Sequence, residues 1–160
     1  MKSSEAKQKR IGVRWFAVAF VLLCIVAGGV VAVIILLNNR VEISTYEEAV
    51  EYVWEYVENE DTEGFIDATE RAINGAKTDE VKADIYSIRA GELYNLAASG
   101  DEQYLDMIKN DLYNAEKLNP TANTAYSIYM YESEFGNLDV GEQYLRLAKD
   151  RGLLDQAGEG

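Results

Sequence analysis

The stretch Tyr129–Ala148, "YMYESEFGNLDVGEQYLRLA", decides how the chain is read. Its apolar residues recur at helical spacing, and Phe135-Gly136-Asn137 interrupts them. It therefore reads as the end of one helix, a tight turn and most of the next. Gly136 is expected to close the first helix as a left-handed C-cap, and Asn137 or Asp139 to open the second. Gly152 is expected to end that second helix in the same way, with Leu153 or Leu154 folding back on its last turn.

Similar start signals recur upstream. Ser44-Thr-Tyr-Glu47 has the form of a capping box, a hydroxyl accepting a backbone N–H and a carboxylate reaching back. Asp61 and Thr78 offer caps for a second and a third helix, and Ser99-Gly-Asp-Glu102 a further box. Asn119-Pro120 places proline at a first helical position, where its missing N–H costs nothing. The starts fall at intervals of roughly 17–21 residues, which predicts six helices joined by short turns. Short turns make neighbours antiparallel. Strand-like alternation is absent, so the expected class is all-α.

Each predicted helix carries an apolar stripe. The first has Tyr46, Val50, Val53, Trp54 and Val57; the second has Phe65, Thr69, Ala72, Ile73 and Ala76. Val81, Ile85, Ile88, Leu93, Leu96 and Ala97 spread over a wide arc of the third, the pattern of a helix packed on more than one side. The fourth shows Tyr104, Leu105, Ile108, Leu112 and Ala115. Ala125, Ile128 and Phe135 mark the fifth; Leu138, Leu145 and Ala148 mark the sixth.

Residues 15–37, "WFAVAFVLLCIVAGGVVAVIILL", carry no charge. As a helix they would extend about 34 Å, enough to cross a bilayer. The run is longer than a secretory signal's apolar region, so an uncleaved single-pass signal anchor is expected; cleavage after a small-residue site such as "VVA" is the alternative. Lys2, Lys7, Lys9, Arg10 and Arg14 precede it, against Arg40 soon after, so residues 1–14 are expected in the cytoplasm and the C-terminal domain outside. The expected organisation is a basic segment 1–14, a transmembrane helix 15–37, a linker 38–43, a helical domain 44–152 and a flexible tail 153–160.

The 160 residues carry a net charge of −13 and no histidine. The single cysteine, Cys24, lies in the apolar run, so disulfides within the chain and cysteine or histidine metal sites are excluded. With about +4 in residues 1–14, the remainder carries about −17, which repels nucleic acid and favours a basic partner. No cofactor and no metal are expected. "ENEDTEG", Glu58–Gly64, lacks the spacing of a calcium loop. Glu47, Glu51 and Glu55 share one exposed face and Glu132 and Glu134 lie near a helix end, with nothing to mark them as catalytic.

From Ser44 to Thr78 is one helical hairpin of about 34 residues, the period of tetratricopeptide repeats, and the stretch quoted first resembles that family most. With Gly136 on the family's turn glycine, Leu138 and Leu145 fall on its large apolar positions and Gly141 and Ala148 on its small ones. Ile128 matches a leucine; Ala125 replaces the usual tryptophan, and Tyr129 stands where a small glycine is usual. Ala115 and Pro120 have the spacing of the repeat-ending alanine and proline, one residue out of step. The middle hairpin is several residues too long. Small residues at Gly141 and Ala148 would let paired helices approach closely.

The resemblance implies three tetratricopeptide-like hairpins stacked as a short solenoid, with the first helix of each lining a concave face. Asn123, Tyr126, Met130 and Glu134 would then point into the groove, joined by Tyr86 and Arg89 from the middle hairpin. Tyrosines, eleven in all, suit such a groove or else fill the core. The expected function is a membrane-anchored extracytoplasmic interaction module, an adaptor or assembly factor for a peptide or protein and not an enzyme. The alternative is an envelope-associated small-ligand-binding or cell-wall-acting helical enzyme using acidic residues. An apolar edge at Leu145 and Leu147 would suit a second copy and thus a homo-oligomer.

Overall fold

A computed structural model describes residues 41–153. Residues 1–40 and 154–160, with the expected cytoplasmic segment, membrane anchor, first part of the linker and most of the tail, lie outside the described residues. The described part is all-α: α1 (Tyr46–Glu58), α2 (Thr62–Gly75), α3 (Asp79–Ala98), α4 (Leu105–Leu118), α5 (Ala122–Glu134) and α6 (Leu138–Asp150). A 3-10 turn, Glu102–Tyr104, leads into α4. Among the described residues no helix is long and apolar enough to cross a membrane.

A helix leaves its first N–H groups without partners, and short polar side chains supply them. Asp61 accepts from the Gly64 N–H at 2.9 Å and Thr78 from Val81 at 3.2 Å. Asn137, rather than Asp139, opens α6, accepting from Asp139 at 2.9 Å and Val140 at 3.3 Å. Three expected starts move. Thr45, not Ser44, caps α1, while the Ser44 N–H donates to the Glu48 carboxylate at 2.7 Å. The chain is held extended up to that point, because Ile43 is buried and bridges the end of α2. Ser99 ends α3 instead of opening α4; its hydroxyl donates to the Leu96 carbonyl at 2.7 Å. Pro120 precedes the cap of α5, where Thr121 and Thr124 exchange backbone and hydroxyl bonds at 2.9 and 3.1 Å.

Three helices end in the same left-handed device. At α3 and α6 a glycine turns the chain, Gly100 at φ +109° and Gly152 at φ +93°. In both, the glycine N–H and the next N–H return to carbonyls of the last turn, Ala97 and Leu96 or Lys149 and Ala148. At α1 the same pair of bonds runs from Glu60 and Asp61 to Val57 and Tyr56, and Glu60 takes φ +55° despite its side chain. Gly136 is not left-handed, contrary to the sequence expectation. Its missing side chain leaves room instead: a Cβ there would lie 2.1 Å from Glu132 Oε2.

The helices pack most extensively as the pairs α3/α4 and α5/α6, and α1 packs on both α2 and α3. The long α3 therefore meets neighbours on several sides, as its wide apolar arc predicts; Val81, Ile85, Ala90, Leu93 and Ala97 are all buried. Its far half joins Ile108, Leu112, Ile128 and Tyr131 in one core cluster, while Val81 and Ile85 join Ile43, Ala49, Ala72 and Ile73 in another. Gly141 brings α6 against α5: a Cβ would lie 2.9 Å from Ser133 Oγ and 3.4 Å from the Tyr129 carbonyl oxygen. Leu138 is 58% exposed and contributes little, although its position reads as a large core residue.

Left-handed backbone costs a residue with a Cβ about 1 kcal/mol relative to glycine. Glu60→Gly is expected to raise stability by about 0.5–1 kcal/mol, read as a higher denaturant midpoint with an unchanged slope.

Candidate functional site

The apolar stripe of α1 is broader than its share of the core. Ala49 and Val53 are buried, whereas Tyr46 and Trp54 remain about half exposed. Tyr46, Val50, Trp54 and Val57 follow one another at helical spacing and form one wall of a groove of about 520 Å³. The facing stripe of α3 is Ser87, Ile88, Gly91, Tyr94 and Asn95. The third wall is α5, through Tyr126, Ser127 and Met130, with Tyr126 38% and Met130 40% exposed. Buried Val53, Ala90 and Leu112 form the floor. The walls thus come from the first, third and fifth helices. Two smaller recesses adjoin the groove, one along the outer face of α1 and one toward the α1–α2 turn.

Of the six residues expected in a groove, the structure brings Tyr126 and Met130 into it. Glu134 stands just outside and accepts a short hydrogen bond from Tyr94, which lines the groove. Burial and that bond push the Tyr94 phenol up to about 12, so it stays a neutral donor. Asn123 is exposed and outside the lining. Tyr86 packs on the Ile43–Ile85 cluster, its ring 5.8 Å from the Arg89 guanidinium. Arg89 is 6% exposed and serves the interior. The clustered tyrosines divide by face: Tyr126 lines the groove with its ring 5.5 Å from that of Tyr129, and Tyr131 is core, donating to the Leu105 carbonyl at 3.1 Å.

Sequence reading places Tyr46, Val50 and Trp54 in the core and passes over Gly91 and Tyr94. The available signal was the width of the α1 stripe, five large apolar residues on a 13-residue helix that also buries Ala49.

The buried charges lie elsewhere and are all engaged. Arg89 donates through Nε and Nη2 to Asp111 at 2.7 and 2.8 Å, and through Nη1 to Glu70 at 3.0 Å. Burial raises the Asp111 pKa, and the guanidinium only partly offsets it. Glu132, 1% exposed, accepts from Tyr113 at 2.9 Å, Lys109 at 3.2 Å and the Asn137 N–H at 2.8 Å. Burial alone would raise its pKa; the Asn137 N–H, the Tyr113 hydroxyl and Lys109 together hold it below the usual value. Glu116 accepts from Thr124 at 2.6 Å and from Arg151 at 2.9 Å. Among the described residues no buried side-chain nitrogen or oxygen lacks a partner, and no cluster of acidic residues could hold a metal ion.

No protein-family model matches the chain, and no curated protein or solved structure is significantly similar to it.

Removing one partner of a buried ion pair strands the other. Arg89→Met alone is expected to cost about 3–5 kcal/mol, and Arg89→Met with Asp111→Leu to recover most of that loss in denaturant melts.

A lowered folded pKa at Glu132 means that its contribution is complete above the unfolded carboxylate's pKa and is lost as pH falls through the folded one. The stability gap between the natural chain and Glu132→Gln is therefore expected to stay constant from pH 7 down to about pH 5 and to shrink only below that, in parallel melts.

Proposed function

We propose that the chain is a membrane-anchored, extracytoplasmic interaction module, an adaptor or assembly factor that holds a peptide or protein partner in its groove. The half-exposed Tyr46, Trp54, Tyr126 and Met130 on converging helices carry this reading. Large apolar side chains left in water around a concavity are the common anchors of a partner, with tryptophan and tyrosine the strongest. Two further features support it. α3/α4 and α5/α6 are the most extensive pairs, and α1, α3 and α5 line the groove, which is compatible with the tetratricopeptide resemblance. The uncharged residues 15–37 supply an anchor that would concentrate the module beside a client in the same membrane.

A catalytic reading needs carboxylates with perturbed affinities converging on a pocket. The buried carboxylates Asp111 and Glu132 do not line the groove, and their oxygens are engaged by Arg89 or by Tyr113, Lys109 and Asn137. That arrangement favours binding over hydrolysis.

The test is photo-crosslinking in the native membrane from positions 54 and 130, with exposed position 146 on α6 as control. The groove positions are expected to capture one shared protein that position 146 does not. With the crosslinker at position 54 or 130, Tyr46→Ala with Tyr126→Ala is expected to cut the yield about 30-fold without changing the circular dichroism. Recovery of lipid and self-contacts alone from all three positions would reject the adaptor reading.

A further inference from the structure

The helices that wall the groove differ in charge from those behind them. Neither α1 nor α5 contains a lysine or an arginine. The two on α3 are Lys82, outside the lining, and Arg89, buried against Asp111. Basic residues Arg71, Lys109, Lys117, Arg146 and Lys149 lie instead on α2, α4 and α6.

The groove and its two adjoining recesses form one track. The α1 recess shares Tyr46, Val50 and Trp54 with the groove, and the other shares Val57, Glu92 and Asn95. The charged residues along this track are all acidic, with Glu51, Glu55 and Glu58 on the α1 side and Glu60, Asp61 and Glu92 toward the turn. Among the described residues none of Glu51, Glu55, Glu58 and Glu92 forms an ion pair, whereas Arg71, Lys77, Lys109 and Arg151 each pair elsewhere. Like charges four apart on a helix repel, so α1 is less stable for carrying Glu51 and Glu55 unanswered.

Gly91 adds a separate observation. It sits within α3 on the groove wall, and a Cβ there would meet nothing within 4 Å. Glycine weakens a helix interior, and no native neighbour here requires it. Its effect is to leave backbone open to whatever enters the groove.

We propose that the groove takes a cationic peptide segment, an apolar side chain seated over Gly91 between Trp54 and Met130, with flanking lysines or arginines paired to Glu51, Glu55 and Glu92. This rests on the reading of the groove as a peptide site and names the chemistry of its partner. The aromatic faces of Tyr46 and Trp54 among the carboxylates would hold the same cations.

The test uses the full chain in non-ionic detergent with Trp15→Phe, which leaves Trp54 as the only tryptophan. The probes are short synthetic peptides alternating leucine with lysine, glutamine or glutamate. The lysine peptide is expected to shift Trp54 emission saturably, the glutamine peptide to bind about tenfold more weakly, and the glutamate peptide not to bind. Glu51→Lys with Glu55→Lys, both at exposed positions, is expected to erase the advantage of the lysine peptide. Gly91→Gln, which projects a side chain from a position whose Cβ meets nothing within 4 Å, is expected to abolish the shift with every peptide, while Gly91→Ala retains it. Equal binding of the lysine and glutamine peptides, lost in Gly91→Gln, overturns the cationic partner and leaves the groove reading standing. Lysine-peptide binding that ignores Gly91→Gln marks diffuse surface attraction and overturns the proposal. An emission shift that follows protein concentration alone and disappears in Gly91→Gln assigns the groove to a second copy and also overturns it. No shift with any peptide or concentration overturns this proposal and the groove reading together.

Discussion

Arg89 is the point on which the helical arrangement turns. Its planar guanidinium binds Asp111 of α4 by two parallel bonds and reaches Glu70 of α2, so one side chain on α3 fixes three helices at once. Apolar packing alone tolerates sliding of one helix along another; a two-pronged bond in a buried site does not. Taking both charges out of water is costly, and only near-ideal geometry offsets that cost. Position along α3 is therefore specified by this pair more than stability is supplied by it. Glu132 has the same role one layer on, tying α5 to α4 through Tyr113 and Lys109 and reaching across the turn to the first N–H before α6. Gly136 exists for that reach, since any side chain there would occupy the space of the carboxylate.

With α3 held in place, the groove follows from surplus. α1 seals its side of the core with Ala49 and Val53, supported by partly buried Tyr52, Tyr56 and Val57, yet it carries Tyr46, Val50 and Trp54 as well. These residues lie about a fifth of a turn away from the sealed seam and stay at the edge of water. α5 repeats the pattern, burying Ala125 and Ile128 and leaving Tyr126 and Met130 outside. Small residues on the α3 side, Ser87 and Gly91, keep the space between them open. The groove is thus bounded by large side chains on two helices and, on the third, by a wall that Ser87 and Gly91 open between Ile88 and Tyr94.

Charge is distributed with equal regularity. The interior arginine is neutralised by its own partners, and most other basic residues occupy the helices behind the groove. What remains along the track is aromatic and acidic. Such a surface speeds encounter with a cationic segment and disfavours an anionic one, and the effect weakens as salt rises.

The chain of caps and apolar periods was enough to read six helices, their order and the central place of α3, because capping and periodicity act over three or four residues. The expected starts at Ser44, Ser99 and Pro120 moved, for neighbouring contacts such as the buried bridge of Ile43 and the run-on of α3 outweighed a local preference worth about 1 kcal/mol. Tyr126 and Met130, which the tetratricopeptide resemblance implies for a concave face, line the groove. Trp54 was not legible as a groove residue, since a one-dimensional stripe shows that a side chain is apolar but not whether another helix arrives to cover it. Arg89 was misread for the same reason: its partners stand 19 and 22 residues away, and only the folded chain brings Glu70 and Asp111 to its guanidinium. Sequence alone settled which segments become helices and which faces avoid water; tertiary packing decided which of those faces met a neighbour, because that depends on contacts between residues far apart along the chain.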